Sequence, residues 1–123
     1  MTYDILVVDD EPMVREGLKL ALEMEGFHAI TASNGMEALK MIRSQKPHLI
    51  ITDIIMPDSD GIEVICTVRE KNPDIKIIAI SGGGRISAHD HLRIAHQLGA
   101  NGILAKPFTT DQLICEVNRL LSA

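Results

Sequence analysis

The chain is 123 residues long, with 46% hydrophobic and 24% charged residues and a formal net charge of −5 at pH 7. That length is one ordinary domain, and the composition excludes intrinsic disorder. The acidic balance lacks the basic footprint of a nucleic-acid binder, and an aromatic content of 2% (Tyr3, Phe27, Phe108) excludes base-stacking platforms and an aromatic sandwich around a flavin.

Short apolar runs alternate five times with amphipathic stretches. A first strand is predicted at Ile5–Val8. Pro12 suits the opening turn of the helix that follows, Val14, Leu18, Ala21 and Leu22 form its inward stripe, and Gly26 suits the left-handed position that ends it. His28–Ala32 is the second strand. Asn34 caps the second helix, with Glu37 three residues on and Ala38, Leu39 and Ile42 inward, and Pro47 follows its end.

The third strand is Leu49–Thr52. Its helix begins near Asp60, carries Ile62, Ile65 and Val68, and stops at Asn72-Pro73. Ile75–Ile80 is the fourth strand, and a fourth helix runs to about Leu98 with Gly99 as its cap. Gly102–Ala105 is the fifth strand, and the last helix starts at Thr109 with Gln112 completing a capping box; Leu113, Val117, Leu120 and Leu121 face inward. The near-continuous aliphatic runs at Ile50-Ile51 and Ile77–Ile80 are those of strands buried on both faces. This order predicts an α/β fold: a (βα)5 doubly wound parallel five-stranded sheet with helices on both faces.

No stretch approaches the roughly 18 apolar residues of a membrane span, and Met1-Thr2-Tyr3-Asp4 lacks a signal-peptide pattern, so a soluble cytoplasmic chain is expected. A core of this size needs no staple, so Cys66 and Cys115 are expected as reduced, partly buried thiols on helices. Met24, Met36 and Met41 are expected to pack helices.

In such a sheet, ligands bind at the carboxyl ends of the strands. There stand Asp9-Asp10-Glu11 after strand 1, Asp53 after strand 3, Ser81 before Gly82-Gly83-Gly84 after strand 4, and Lys106-Pro107-Phe108 after strand 5. Two carboxylates about 4 Å apart repel by about 4 kcal/mol at an effective dielectric near 20. A cluster of Asp9, Asp10 and Asp53 therefore calls for a cation, and hard oxygen donors on a partly open rim favour Mg²⁺. A carboxylate so placed can act as a nucleophile toward phosphorus, with Lys106 as a point charge for phosphoryl oxygens and Ser81 as a hydroxyl donor.

Those residues carry a resemblance. Val7-Val8-Asp9-Asp10-Glu11-Pro12, Asp53 with Met56-Pro57 and Asp60-Gly61, Ser81-Gly82 and Lys106-Pro107-Phe108 stand in one order over nearly the whole chain. The sequence resembles the receiver domain of two-component response regulators. The resemblance implies a flavodoxin-like sheet of order 2-1-3-4-5, one receiver domain over 1–123 with no output domain, and a cis Lys106–Pro107 peptide. It implies Asp53 as phosphoacceptor and Lys106 and Ser81 as phosphoryl-binding lysine and switch hydroxyl. Asp9, Asp10, Asp53 and the Ile55 backbone carbonyl become the ligands of Mg²⁺. The implied donor is a sensor histidine kinase or a phosphotransfer protein, and helix 4, strand 5 and helix 5 would dock an unknown downstream protein. The chain would be a monomer or weak dimer, with no nucleic-acid or membrane partner, and its only chemistry would be self-phosphorylation and slow autodephosphorylation.

Two features depart from the family pattern. Ile103 stands where an aromatic residue usually turns inward, and the connection Gly82–His91 is long and glycine-rich. Taken singly, Asp9 and Asp10 read equally well as helix-capping residues, Lys106 as a surface lysine, and Ser81 as a turn residue. The triple glycine lacks the Gly-Lys-Ser/Thr of a nucleotide loop, and His89, His91 and His96 form only a weak metal-ligand pattern, better read as solvated. The alternative readings are a small Mg²⁺-dependent phosphatase with an aspartyl nucleophile and a receiver-like binding module independent of phosphorylation. A flavodoxin-type flavin site is disfavoured because Asp9-Asp10-Glu11 would repel the flavin phosphate.

Overall fold

The structure, a computed structural model, describes residues 2–54, 61–81 and 88–122. Its elements alternate without exception: β1 (Asp4–Val8), α1 (Pro12–Met24), β2 (His28–Ala32), α2 (Gly35–Gln45), β3 (Leu49–Asp53), α3 (Gly61–Lys71), β4 (Lys76–Ser81), α4 (Ala88–Gln97), β5 (Gly102–Ala105) and α5 (Thr110–Ser122). All strand pairs are parallel, in the order β2-β1-β3-β4-β5. This is the flavodoxin-like arrangement the sequence resemblance implies.

Side-chain alternation along each strand divides the core into two layers. Leu6, Val8, Ile50, Ile77 and Ala79 pack against Ala38 and Ile42 of α2, Val64, Ile65 and Val68 of α3, and Ala95 of α4. The intervening residues Ile5, Val7, Leu49, Ile51, Ile78 and Ile80 pack against Leu18 and Leu22 of α1 and Leu113, Val117 and Leu120 of α5. Each fully buried Ile or Leu contributes about 1.5–3 kcal/mol, so an aliphatic core suffices without aromatic residues.

The helix ends follow the expected chemistry. Asn34 Oδ1 accepts from the Glu37 amide at 2.9 Å. Thr109 and Gln112 form a reciprocal capping box at 2.8 and 3.1 Å. Gly26 and Gly99 take φ of 91° and 119°, closing α1 and α4. At the end of the sheet away from the strands' carboxyl termini, Arg69 of α3 donates to the carbonyls of Pro73, Ile75 and Gly99 and to Asn101 Oδ1, which also accepts from the Ile77 amide.

Four expectations need correction. Cys66 and Cys115 are exposed, not partly buried, because each falls outside the inward stripe of its helix. Met24 and Met36 are 78% and 69% exposed, and only Met41 packs against the core. β4 runs one residue later than predicted, Lys76–Ser81, and β3 extends to Asp53. Val64 joins the inward face of α3, while Ile62 is only partly buried. No described helix is long and apolar enough to cross a membrane.

Candidate phosphoryl-transfer site

Parallel register brings the predicted residues to one rim. Val8, the last residue of β1, pairs with Thr52, so Asp9 and Asp53 leave neighbouring strands side by side. Asp53 pairs with Ile80, and Ser81, the next residue of β4, pairs with Ala105. The Lys106 amide donates to the Ser81 carbonyl at 2.9 Å, continuing the ladder one step and fixing where the lysine leaves β5. Lys106–Pro107 is cis, as the resemblance implies.

Asp9, Asp10 and Asp53 each present a carboxylate oxygen within 4.8 Å of the others. Asp9 and Asp53 are 1% and 7% exposed, whereas Asp10 is half-buried. At such separations each fully ionised pair repels by about 3–4 kcal/mol at an effective dielectric near 20. Lys106 Nζ offsets part of this, lying 3.1 Å from Asp53 Oδ2 and 3.5 Å from Asp9 Oδ2. Burial lowers the affinity of the Lys106 ammonium for its proton. The hydrogen bonds and charges of Asp53 and Asp9 outweigh that effect and hold its pKa above the ordinary lysine value.

Three carboxylates against one ammonium leave a net negative, all-oxygen cluster. That donor set fits a hard divalent cation such as Mg²⁺ and no soft metal. The Ile55 carbonyl, Met56, Pro57, Asp60, the Gly82–Gly84 run and the connection it opens lie outside the described residues, as do the side chains of His89 and His91. His96 is exposed on α4. Ser81 is 1% exposed at the rim. Ile103, 40% exposed, faces a groove between β5 and α5 that also includes Leu104 and Cys115.

Backbone and neighbouring groups hold the cluster in place, and sequence reasoning missed two of them. Asp9 does not cap α1, whose N-cap is Glu11 without a side-chain cap bond: its Oδ1 accepts from the Glu11 amide at 2.9 Å in the turn before the helix, and its Oδ2 lies toward Lys106. Arg15, one turn into α1, donates to the Asp9 carbonyl at 2.9 Å. Gly61, the first residue of α3, packs against the Asp53 backbone, and its amide donates to the Ile54 carbonyl at 2.9 Å. Arg15 carries no sequence signal beyond its spacing from Asp9. Gly61 was visible only as part of a motif.

Comparison with known proteins agrees with this geometry. The family model for the response regulator receiver domain matches residues 5–118. Response regulator MprA of Mycobacterium ulcerans is 36% identical over 122 residues, which is 98% of this chain and 51% of that protein. This chain thus spans about half the length of the curated relatives it matches. Among solved structures, the receiver domain of NtrX from Brucella abortus is similar with a TM-score of 0.91 and 33% identity, covering 98% of this chain and 99% of that one. A CheY-like receiver domain protein from Methanospirillum hungatei superposes with a TM-score of 0.91 at 25% identity, covering 99% and 95%. Family match, fold and acidic rim agree: the chain belongs to the response regulator receiver domain family.

Proposed function

We propose that this chain accepts a phosphoryl group on Asp53 from a phosphohistidine of a sensor histidine kinase or phosphotransfer protein. Receiver domains are signalling modules rather than turnover enzymes, are phosphorylated by histidine kinases, and bind Mg²⁺ at an acidic pocket. The observation that carries the proposal here is the Lys106 ammonium joining Asp53 and Asp9 at 3.1 and 3.5 Å inside a three-carboxylate cluster.

In the proposed reaction an Asp53 carboxylate oxygen attacks phosphorus. The P–O bond forms as the P–N bond to the donor imidazole breaks, and the imidazole leaves with the bonding pair. Lys106, already at Asp53 Oδ2, pairs with the incoming phosphoryl oxygens, and Ser81 donates its hydroxyl to them. Asp9, Asp10, Asp53 and the Ile55 carbonyl would hold Mg²⁺, which when bound neutralises negative charge shared by the carboxylates and the phosphoryl group. Residues 1–123 act as one receiver unit in this reading. The face of α4, β5 and α5 then engages a downstream protein, with Ile103 in place of an inward-turning aromatic residue.

Intact mass after incubation with acetyl phosphate tests this, with and without Mg²⁺, on the wild type and Asp53→Asn. Gain of one phosphoryl group that requires both Mg²⁺ and Asp53 is expected. No gain in the wild type would leave a binding module that works without phosphorylation.

A further inference from the structure

We propose that Arg15 is a positioning residue for the divalent cation: its bond to the Asp9 carbonyl sets where the Asp10 carboxylate stands. The inference rests on the Mg²⁺ site of the proposed function. Asp10 differs from the other members of the acidic cluster. Asp9 and Asp53 each hold Lys106, whereas the half-buried Asp10 carboxylate makes no hydrogen bond or ion pair among the described residues. It nevertheless presents an oxygen within 4.8 Å of both neighbours, so its place is set through the backbone that carries it.

Both peptide planes that flank Asp10 are clamped. A peptide unit is a rigid plane running from one Cα to the next, so a bond at one of its polar atoms constrains the whole unit. Arg15 Nη1 donates at 2.9 Å to the carbonyl of the plane that joins Asp9 to Asp10. Asp9 Oδ1 accepts at 2.9 Å from the Glu11 amide, which belongs to the plane that joins Asp10 to Glu11. The Asp9 amide donates to the Ala32 carbonyl at 3.2 Å, and the Arg15 amide to the Glu11 carbonyl at 3.0 Å, which anchors the turn at both ends. Asp10 is left with little freedom beyond its own side-chain torsions. Of these clamps, the Arg15 guanidinium is the one side chain outside the acidic cluster, so it can be removed without touching a metal ligand.

The stability of α1 does not account for this arrangement. The Arg15 side chain reaches back toward the positive end of its own helix, where a cation is disfavoured, and no acidic residue stands in the first turn to offset it. Nor does an ion pair: among the described residues the Asp9 carbonyl is the one partner of the half-buried guanidinium. Charge and position also act with opposite sign on a bound cation. As a point charge beside the cluster Arg15 repels Mg²⁺, and removing that charge alone would tighten binding. As a clamp on the Asp9–Asp10 peptide it holds a ligand in place, and removing the clamp loosens binding. The guanidinium is partly exposed, so water and salt screen its charge, and the loss of position prevails.

Melting curves over a Mg²⁺ titration at constant ionic strength read binding without phosphorylation, and acetyl phosphate labelling of Asp53 over the same titration gives a second readout. Arg15→Met keeps the stem and removes the donor. It should raise the Mg²⁺ concentration for half-effect about tenfold in both, while the labelling rate at saturating Mg²⁺ stays within about threefold of wild type. Arg15→Ala, a better helix former, carries the same expectation. Added to Asp10→Asn, Arg15→Met should shift the half-effect concentration by less than about twofold, because the ligand it positions is gone. A wild type that Mg²⁺ does not stabilise would overturn the metal site and this role together. A stabilised wild type whose half-effect concentration is unchanged or lowered in folded Arg15→Met would overturn the role of Arg15 alone. So would a tenfold loss that persists in the Asp10→Asn background.

Discussion

Gly61 and Asp53 touch through their backbones: a Cβ at position 61 would stand well inside van der Waals contact of the Asp53 carbonyl oxygen. The neighbour is main chain at the end of a central strand, so it cannot turn aside as a flexible side chain would. Gly61→Ala is therefore expected to push Asp53 away from Lys106. It should cost about 1–3 kcal/mol of stability and slow acetyl phosphate labelling of Asp53 by about tenfold or more. Thermal melts and timed intact-mass spectra check the two effects together. A variant that melts lower but labels at the wild-type rate would show that the close approach serves packing alone.

Lys106 gives a pH signature with a defined sign. Its folded-state pKa lies above the unfolded value of 10.5, so the folded protein holds this proton more tightly than the unfolded chain. The resulting stability is fully present below about pH 10.5 and is lost as pH rises through the folded-state pKa. The difference between wild type and Lys106→Met isolates the effect of this one group. Urea unfolding from pH 8 to 11.5 should show that difference flat up to about pH 10 and shrinking above it. A difference that grows with pH would contradict the ion pairs.

Removing Mg²⁺ and removing a carboxylate should act in opposite directions on stability. With the metal absent, Asp10→Asn loses repulsion but neither of the two ion pairs of Lys106, so it is expected to be about 1 kcal/mol more stable than wild type at low salt. That gain should diminish as salt screens the half-exposed site. With 10 mM Mg²⁺, a site of roughly millimolar affinity stabilises the wild type by about 1.4 kcal/mol, and Asp10→Asn should forfeit most of this increment. Melting curves with and without EDTA measure both. An equal Mg²⁺ increment in the two proteins would place the ion elsewhere.

Much of the architecture was legible because the determining signals are local. Ile50-Ile51 and Ile77–Ile80 announce doubly covered strands, and Asp9, Asp53 and Lys106 stand immediately past strand ends that parallel pairing brings together. The Gly61 contact and the Arg15 bond were not legible in physical terms, since each joins two elements whose spacing only the folded chain defines. The cysteines and methionines failed differently. Residue-type preference placed Cys66, Cys115, Met24 and Met36 inward, whereas helical phase already places them outward. Cys115, for instance, falls about 200° from Leu113.

Arg69 supplies a test at the far end of the molecule. Its guanidinium donates to four acceptors: the carbonyls of Pro73, Ile75 and Gly99, and Asn101 Oδ1. In this way one planar group ties the end of α3 to the start of β4 and to the turn between α4 and β5. The close fit of its stem under Gly99, whose ideal Cβ would lie 3.0 Å from Arg69 Cγ and Nε, leaves little room for rearrangement. Burial lowers the guanidinium pKa, but at neutral pH the group remains charged, and its acceptors would lose a charge-assisted partner on substitution. Arg69→Met keeps the aliphatic stem and is expected to cost about 2–4 kcal/mol in urea unfolding; Arg69→Lys should recover less than half, since one ammonium cannot reach all four acceptors. Because the cluster of Asp9, Asp53 and Lys106 lies at the opposite end of the strands, labelling by acetyl phosphate should stay within about twofold of wild type under conditions where the variant is folded. A large loss of labelling in the folded variant would mean that the distal clasp and the acidic rim are energetically coupled through α3, which joins Arg69 to Gly61 and so to Asp53.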